Sequence, residues 1–322
     1  MRILSLFSGA GGLDLGLKQS GHQIVWANDS DPDATETYRH NVDDNIILSD
    51  INEIDLNMVP SADVVVGGFP CQGFSVANLN RNIDDERNRL YEAFCNAIAV
   101  TQPKFFIAEN VKGILSLDKG MIIKRIVSDF EGAGYLVNVN KVNMADYGIP
   151  QTRQRVVILG QRRDIADSMI LSLPKPTHSK SGSPAPWVSI SEAIGMFPDP
   201  DEPNDILNHI CSSYKVEYRN FTGHRQTDPD KPSPTILARG NGKGGVCAIP
   251  HYNGTRRLTI RESAAVQTFP DDFKFFGGLG SCYRQIGNAV PVAFGRIMGE
   301  ELNRIDSFAM FKESLDANNI AI

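Results

Sequence analysis

A thiol in the stretch "GGFPCQGFS", residues 67–75, follows a proline on a glycine-flanked turn, directly after the apolar run "DVVVGG". Cys71 there is either a small residue filling a tight corner or a nucleophile held at the edge of a sheet. Pro70 fixes the backbone before it, and Gly73 permits a sharp turn after it. A free thiol titrates near about 8.5 and needs a neighbour before it acts as a thiolate. A second apolar run, "FFIAENV", ends in Glu109 and Asn110. An acid at the end of such a strand can give or share a proton. Thiol and acid together suggest covalent catalysis on a ring that is protonated while it is attacked.

A third group points to a ligand. "LSLFSGAGGLDLG" places Gly9, Gly11 and Gly12 between a strand and a helix, where backbone can approach a bound group closely. The dinucleotide spacing G-x-G-x-x-G fails, because Asp14 stands where the third glycine belongs. Asp29, 20 residues after Gly9, can take the hydroxyls of a ribose, and Asp50, at the end of the next strand, can accept from an amino group such as that of adenine. A tight turn explains a glycine loop equally well. The loop with two acids at successive strand ends suggests a nucleoside, and an adenosine cofactor without a pyrophosphate fits better than NAD.

These residues require a sheet whose strand ends share one edge. "RILSLF", "QIVWAN", "NIIL", "DVVVGG", "KFFIAEN", "YLVNVN" and "RVVILGQR" read as strands, with helices at 13–20, 32–40, 90–101 and 121–133. Apolar runs without alternation mean strands covered on both faces, hence an open, mostly parallel α/β sheet. From about residue 172 the texture changes. "LPKPTHSKSGSPAPWVS" holds four prolines and four serines, and the chain to about 255 has weak periodicity. Helical pattern returns at 261–267 and 291–315.

The net charge of −6 argues against a nucleic-acid partner, but its distribution argues otherwise. Residues 215–261 carry 9 Lys and Arg against 3 Asp and Glu. That basic, turn-rich segment is either a solvated surface or a nucleic-acid face. Five dispersed cysteines without a C-x-x-C pair argue against disulfides and a zinc site. The absence of a signal peptide and of an 18-residue apolar run predicts a cytoplasmic protein with no membrane partner.

Six motifs in order, "FSGAGGLDLG", "GGFPCQGFS", "ENV", "QTRQR", "RRLTIRESAAVQTFP" and "QIGNAVP", resemble those of the DNA (cytosine-5)-methyltransferases of bacterial restriction–modification type. Asp29 departs from the pattern, where the family usually has glutamate. The resemblance implies a Rossmann-like catalytic domain, 1–172 completed by 286–322, and a smaller irregular target-recognition domain, 173–285. It implies S-adenosylmethionine as cofactor and duplex DNA as substrate, with the target cytosine flipped into the site. Cys71 would add to carbon 6, and Glu109 would hydrogen-bond or protonate ring nitrogen 3. Arg155 and Arg153 would hold base and phosphates, and Asn110 would brace the Pro-Cys loop.

On the same ground, Phe7, Gly9, Gly11 and Gly12 would hold the methionine end of the cofactor. Asp29 and Ser30 would serve the ribose, and Asp50 with Ile51 the adenine. Pro70, Leu90, Asn288 and Val290 would close the pocket. Gln72, Ser75, Arg219, Arg225, Arg239 and Arg257 would contact DNA. Residues 75–90 read as a lid over the flipped base, or as a plain surface loop. A monomer is expected, with a cognate restriction endonuclease in the same system but no contact with it. Three other readings compete. They are an RNA cytosine methyltransferase, an NAD-dependent oxidoreductase, which the glycine spacing disfavours, and an inactive homologue, which would have lost Cys71, Glu109 or the arginines.

Overall fold

The structure, a computed structural model, describes residues 1–69, 89–166, 169–212, 227–238, 249–254 and 256–319, with side chains described to residue 308. The elements follow in order as β1 (Arg2–Leu6), α1 (Gly12–Gln19), β2 (Gln23–Asp29), α2 (Pro32–Asn41), β3 (Ile46–Leu48), β4 (Val64–Gly67), α3 (Arg89–Thr101), β5 (Phe105–Val111), α4 (Met121–Gly132), β6 (Tyr135–Asn143), β7 (Gln151–Thr152), β8 (Gln154–Arg162), α5 (Ile190–Ile194), β9 (Ser233–Pro234), α6 (Ile260–Val266), α7 (Leu279–Asn288) and α8 (Val292–Asn319). Each of the seven apolar runs forms a strand of one sheet, ordered β3-β2-β1-β4-β5-β8-β6.

Pairing is parallel from β3 to β5, and β8 alone runs opposite to its neighbours β5 and β6. Both faces are covered, as unalternated apolar runs require. Ile3 and Val64 point into a core shared with α1, α2 and α8, while Leu4, Leu6 and Val65 point into a second core with α3 and α4. Each such side chain contributes roughly 1.5–3 kcal/mol by leaving water.

Helix starts are set locally. Asp31 caps α2 by accepting from the amides of Asp33 and Ala34, with Pro32 in the first turn. Thr259 and Glu262 form a reciprocal capping box at α6, as Ser189 and Glu192 do at α5.

The end of the chain returns to its beginning. α8 lies against α1 at backbone contact, because a Cβ on Gly16 would overlap the Val292 carbonyl and one on Gly295 the Leu13 carbonyl. Asn303 Nδ2 donates to the Ser20 carbonyl at 2.7 Å, and the His22 ring meets the Gly299 carbonyl at 2.9 Å. Residues 274–284, which the sequence reading places in the small domain, dock on α2. Asn41 exchanges two 2.8 Å hydrogen bonds with the Lys274 backbone, and Arg284 pairs with Asp31 at 2.9 Å. Among the described residues no helix is long and apolar enough to cross a membrane.

Candidate active site

The carboxyl ends of β1, β2, β4 and β5 open into one cleft of about 700 Å³. Its floor is the turn after β1. Phe7 holds φ +54 and Gly9 φ +56, a left-handed turn that costs a non-glycine residue about 1 kcal/mol or more. Gly12 is pressed against the segment after α7, where a Cβ would overlap the Val290 carbonyl oxygen. At Gly11, φ +86, a Cβ would overlap Tyr38 and Val42 behind the loop.

Asp29 ties this loop to the end of β2. Its Oδ2 accepts from the Gly9 amide at 2.7 Å and its Oδ1 from the Asp31 amide at 2.9 Å. Burial pushes its carboxyl above the ordinary range, against the pull of those amides. Asp50 caps the one-turn helix Ile51–Glu53, and Asn52 donates to it twice, both times at Oδ1. Asp29, Ser30, Asp50 and Ile51 line one side of the cleft. Leu90 lines the other, and Asn288 and Val290 close it. The donor set suits a nucleoside, with carboxylates for hydroxyls and an exocyclic amine, apolar walls, and backbone brought close at Gly9 and Gly12.

Asp14 escaped the sequence reading, where it only broke a glycine spacing. It lines the cleft floor, fully buried, accepting from Ser5 Oγ at 2.9 Å and Tyr38 OH at 2.8 Å. Ser8 Oγ donates in turn to Ser5 Oγ at 2.9 Å, so the acid supports the loop through a hydroxyl chain. Burial lifts its carboxyl from 3.8 to about 6 despite the two donors. An acid raised in this way takes up a proton on folding, so its contribution to stability is complete below about pH 4 and is lost as pH rises through about 6. Between those limits the parent will lose about 3 kcal/mol more unfolding free energy than Asp14→Asn, which is neutral throughout. Urea titrations at several pH values check this, and parallel pH profiles would refute it.

At the other end of the cleft the catalytic candidates gather. Glu109 and Asn110 close β5, and Arg155 opens β8 opposite Val111. Arg155 Nε lies 2.7 Å from Glu109 Oε1, both side chains nearly buried. The pair is close but not aligned as an N–H···O bond, so Oε1 keeps its capacity to accept from another donor. Gly68 faces the other carboxylate oxygen, with a Cβ there lying 3.3 Å from Oε2. Asn110 Nδ2 donates to the Phe69 carbonyl at 2.9 Å, two residues before Cys71. Phe69 itself is packed against Tyr91 and Phe94.

Pro70, Cys71, Gln72 and Ser75, nearly all of the 75–90 lid segment, and Arg219, Arg225 and Arg239 lie outside the described residues. Two other arginines named from the sequence are described. Arg153 lines the cleft but is buried, its terminal nitrogens donating to the carbonyls of Ile236 at 3.1 Å and of Gly287 and Ala289 at 3.0 Å. Its terminal nitrogens are bound to backbone while its Nε has no partner among the described residues, and burial lowers its guanidinium to about 9. Arg257 is buried with its guanidinium 3.7 Å above the Tyr283 ring.

The family description "C-5 cytosine-specific DNA methylase" matches residues 1–205 and 204–304. Type II methyltransferase M.NgoFVII of Neisseria gonorrhoeae is 39% identical over 315 residues, covering 90% of this chain and 83% of that one. M.FnuDI of Fusobacterium nucleatum is 36% identical, covering 94% of each chain. In fold, the chain is similar to the S. pombe Dnmt2 methyltransferase, with a TM-score of 0.69 at 20% identity over 95% of this chain and 99% of that one. The Entamoeba histolytica methyltransferase EhMeth matches with a TM-score of 0.68 at 16% identity over 94% and 97%. On the match of the family model and the identity to these relatives, the chain belongs to the C-5 cytosine-specific DNA methylase family and is a DNA (cytosine-5)-methyltransferase.

Proposed function

We propose that the enzyme methylates carbon 5 of a flipped-out cytosine in duplex DNA, using S-adenosylmethionine and a covalent adduct of Cys71. The observation that carries this reading is the Glu109–Arg155 pair, set beside Asn110 at the end of the cleft that holds the glycine loop. Glu109 hydrogen-bonds or protonates ring nitrogen 3 while the Cys71 thiolate bonds to carbon 6. The ring electrons displaced by that addition make carbon 5 nucleophilic. After methylation, loss of the carbon 5 proton and expulsion of the thiolate restore the aromatic ring. Arg155 holds Glu109 and the base in place, and Asn110 fixes the Phe69 carbonyl and with it the approach to the thiol. Phe7, Gly9 and Gly12, with Asp29 for the ribose and Asp50 for the adenine, would hold S-adenosylmethionine, which would supply an electrophilic methyl group.

The catalytic part in this reading is 1–172 with the C-terminal segment, and the recognition part lies between them. Placement in a restriction–modification system rests on the relatives' designation as Type II methyltransferases. The test is transfer of labelled methyl from S-adenosylmethionine to mixed-sequence duplex DNA and, in parallel, to tRNA. Label at cytosine C5 in DNA is expected, and label confined to tRNA would overturn the reading. Within the same assay Asp29→Ala will raise the KM for S-adenosylmethionine by about tenfold or more, as expected for a lost hydrogen bond to a charged group. Asp50→Ala, at an exposed acid already bonded to Asn52, will raise it less. Unchanged KM in both variants would move the adenosine site elsewhere.

A further inference from the structure

The end of α7 forms the wall of the cleft, through Asn288, Ala289 and Val290. A helix end leaves its last carbonyls without partners. Here side chains from two other parts of the chain bind them. Gln267 Nε2 donates to the carbonyls of Ile286 at 2.6 Å and Ala289 at 3.1 Å, and Arg153 takes those of Gly287 and Ala289. Gln267 Oε1 accepts from Gln151 Nε2 at 2.8 Å. Gln151 Oε1 in turn accepts from the Ile236 amide at 2.9 Å, and Arg153 donates to the Ile236 carbonyl.

Both polar backbone atoms of Ile236 are therefore held by side chains that also reach, directly or through one amide, the helix end walling the cleft. Gln151 and Gln267 have no exposed surface and do not line the cleft. The backbones also touch. A Cβ on Gly287 would overlap the Ala238 amide and the Leu237 carbonyl carbon, and three residues on, Val290 presses on Gly12 of the glycine loop.

We propose that Gln151 and Gln267 are positioning residues that key segment 236–238 of the recognition part to the cleft wall at 287–290, so that DNA held by the one tightens cofactor binding at the other. This rests on the reading of the cleft as the S-adenosylmethionine site. Linkage makes the effect reciprocal, so cofactor tightens DNA by the same factor. The amide pair suits the task because a buried amide without its partner is costly, and the segments are held in one register only.

The test is the dissociation constant of S-adenosylhomocysteine, measured by calorimetry with and without saturating unmethylated duplex DNA several kilobases long. In the parent DNA will tighten binding by about fivefold or more, the lower end of ordinary coupling. Gln151→Glu keeps the acceptor for Ile236 and loses the donor to Gln267. It will bind S-adenosylhomocysteine alone within about twofold of the parent and lose most of the DNA-induced gain. A residue that only stabilises the fold would lower Tm and leave the ratio intact, and that outcome overturns the proposal. So does a parent ratio of one. A parent that does not bind S-adenosylhomocysteine at all would instead remove the cleft reading beneath it. Should Gln151→Glu fail to fold, hydrogen exchange on the parent decides. DNA alone must slow exchange of the amides at 286–290 by about fivefold or more, and unchanged exchange there refutes the coupling.

Discussion

Cys71→Ser will abolish methyl transfer, lowering kcat by at least about 10³-fold, while leaving cofactor affinity within about twofold. The loss follows from the nucleophile. A serine hydroxyl stays un-ionised near neutral pH, so addition to carbon 6 has no anion to start from. Cofactor affinity survives because the glycine loop, Asp29 and Asp50 belong to other strands. Duplex carrying 5-fluorocytosine at the target will trap a denaturation-resistant adduct with the parent, because fluorine cannot depart as a proton does. The serine variant will form none. A variant that turns over at the parent rate, or a parent that never traps, would remove Cys71 from the mechanism.

Glu109→Gln comes second in size, a fall in kcat of about 10²–10⁴-fold with DNA affinity little changed. The amide fills the same volume and can still present an oxygen to Arg155, but it cannot hand over a proton. A second effect will accompany the first. Arg155, nearly buried and 2.7 Å from the carboxylate, loses its counter-charge. Leaving a buried cation unpaired costs about 3–5 kcal/mol. Tm will therefore drop as well. Measuring kcat on the folded protein below that Tm separates the two, and a variant that is unstable but fully active would make Glu109 a structural acid.

What the residues disclosed in advance follows from what each kind of signal encodes. The central strands announce themselves because both faces of the sheet are covered there, so runs such as those of β1, β4 and β5 are almost wholly apolar. Asp29, Asp50 and Glu109 could be placed because each ends such a run, and strand ends share one edge. Direction is not written in an apolar run, so the reversal of β8 was invisible. So was α7, whose "LGSCYRQIGN" has two glycines and little helix propensity. Buried Tyr283 and Ile286 and the capped carbonyls of its last turn hold it. Arg153 and Arg257 show the same limit. A cation within a motif reveals that a charge is needed there, but not whether it faces a phosphate, a carbonyl or a tyrosine ring.

The close crossing of α1 and α8 has a consequence for how the protein is made. A chain leaves the ribosome from its N-terminus at about 5–20 residues per second, and domains fold as they emerge. The glycine loop and the residues at the ends of β1 to β5 are synthesised first, yet their cleft has no wall until residues 286–290 arrive. Until α8 follows, Leu13 and Leu17 of α1 lack the cover of Phe294 and Met298, which share their core. Nascent and prematurely terminated chains therefore expose an apolar stripe and lack a complete cleft. Methylating capacity therefore arises only once these residues are made, and a stop codon before residue 286 yields material for chaperones and proteases instead of a weakened enzyme.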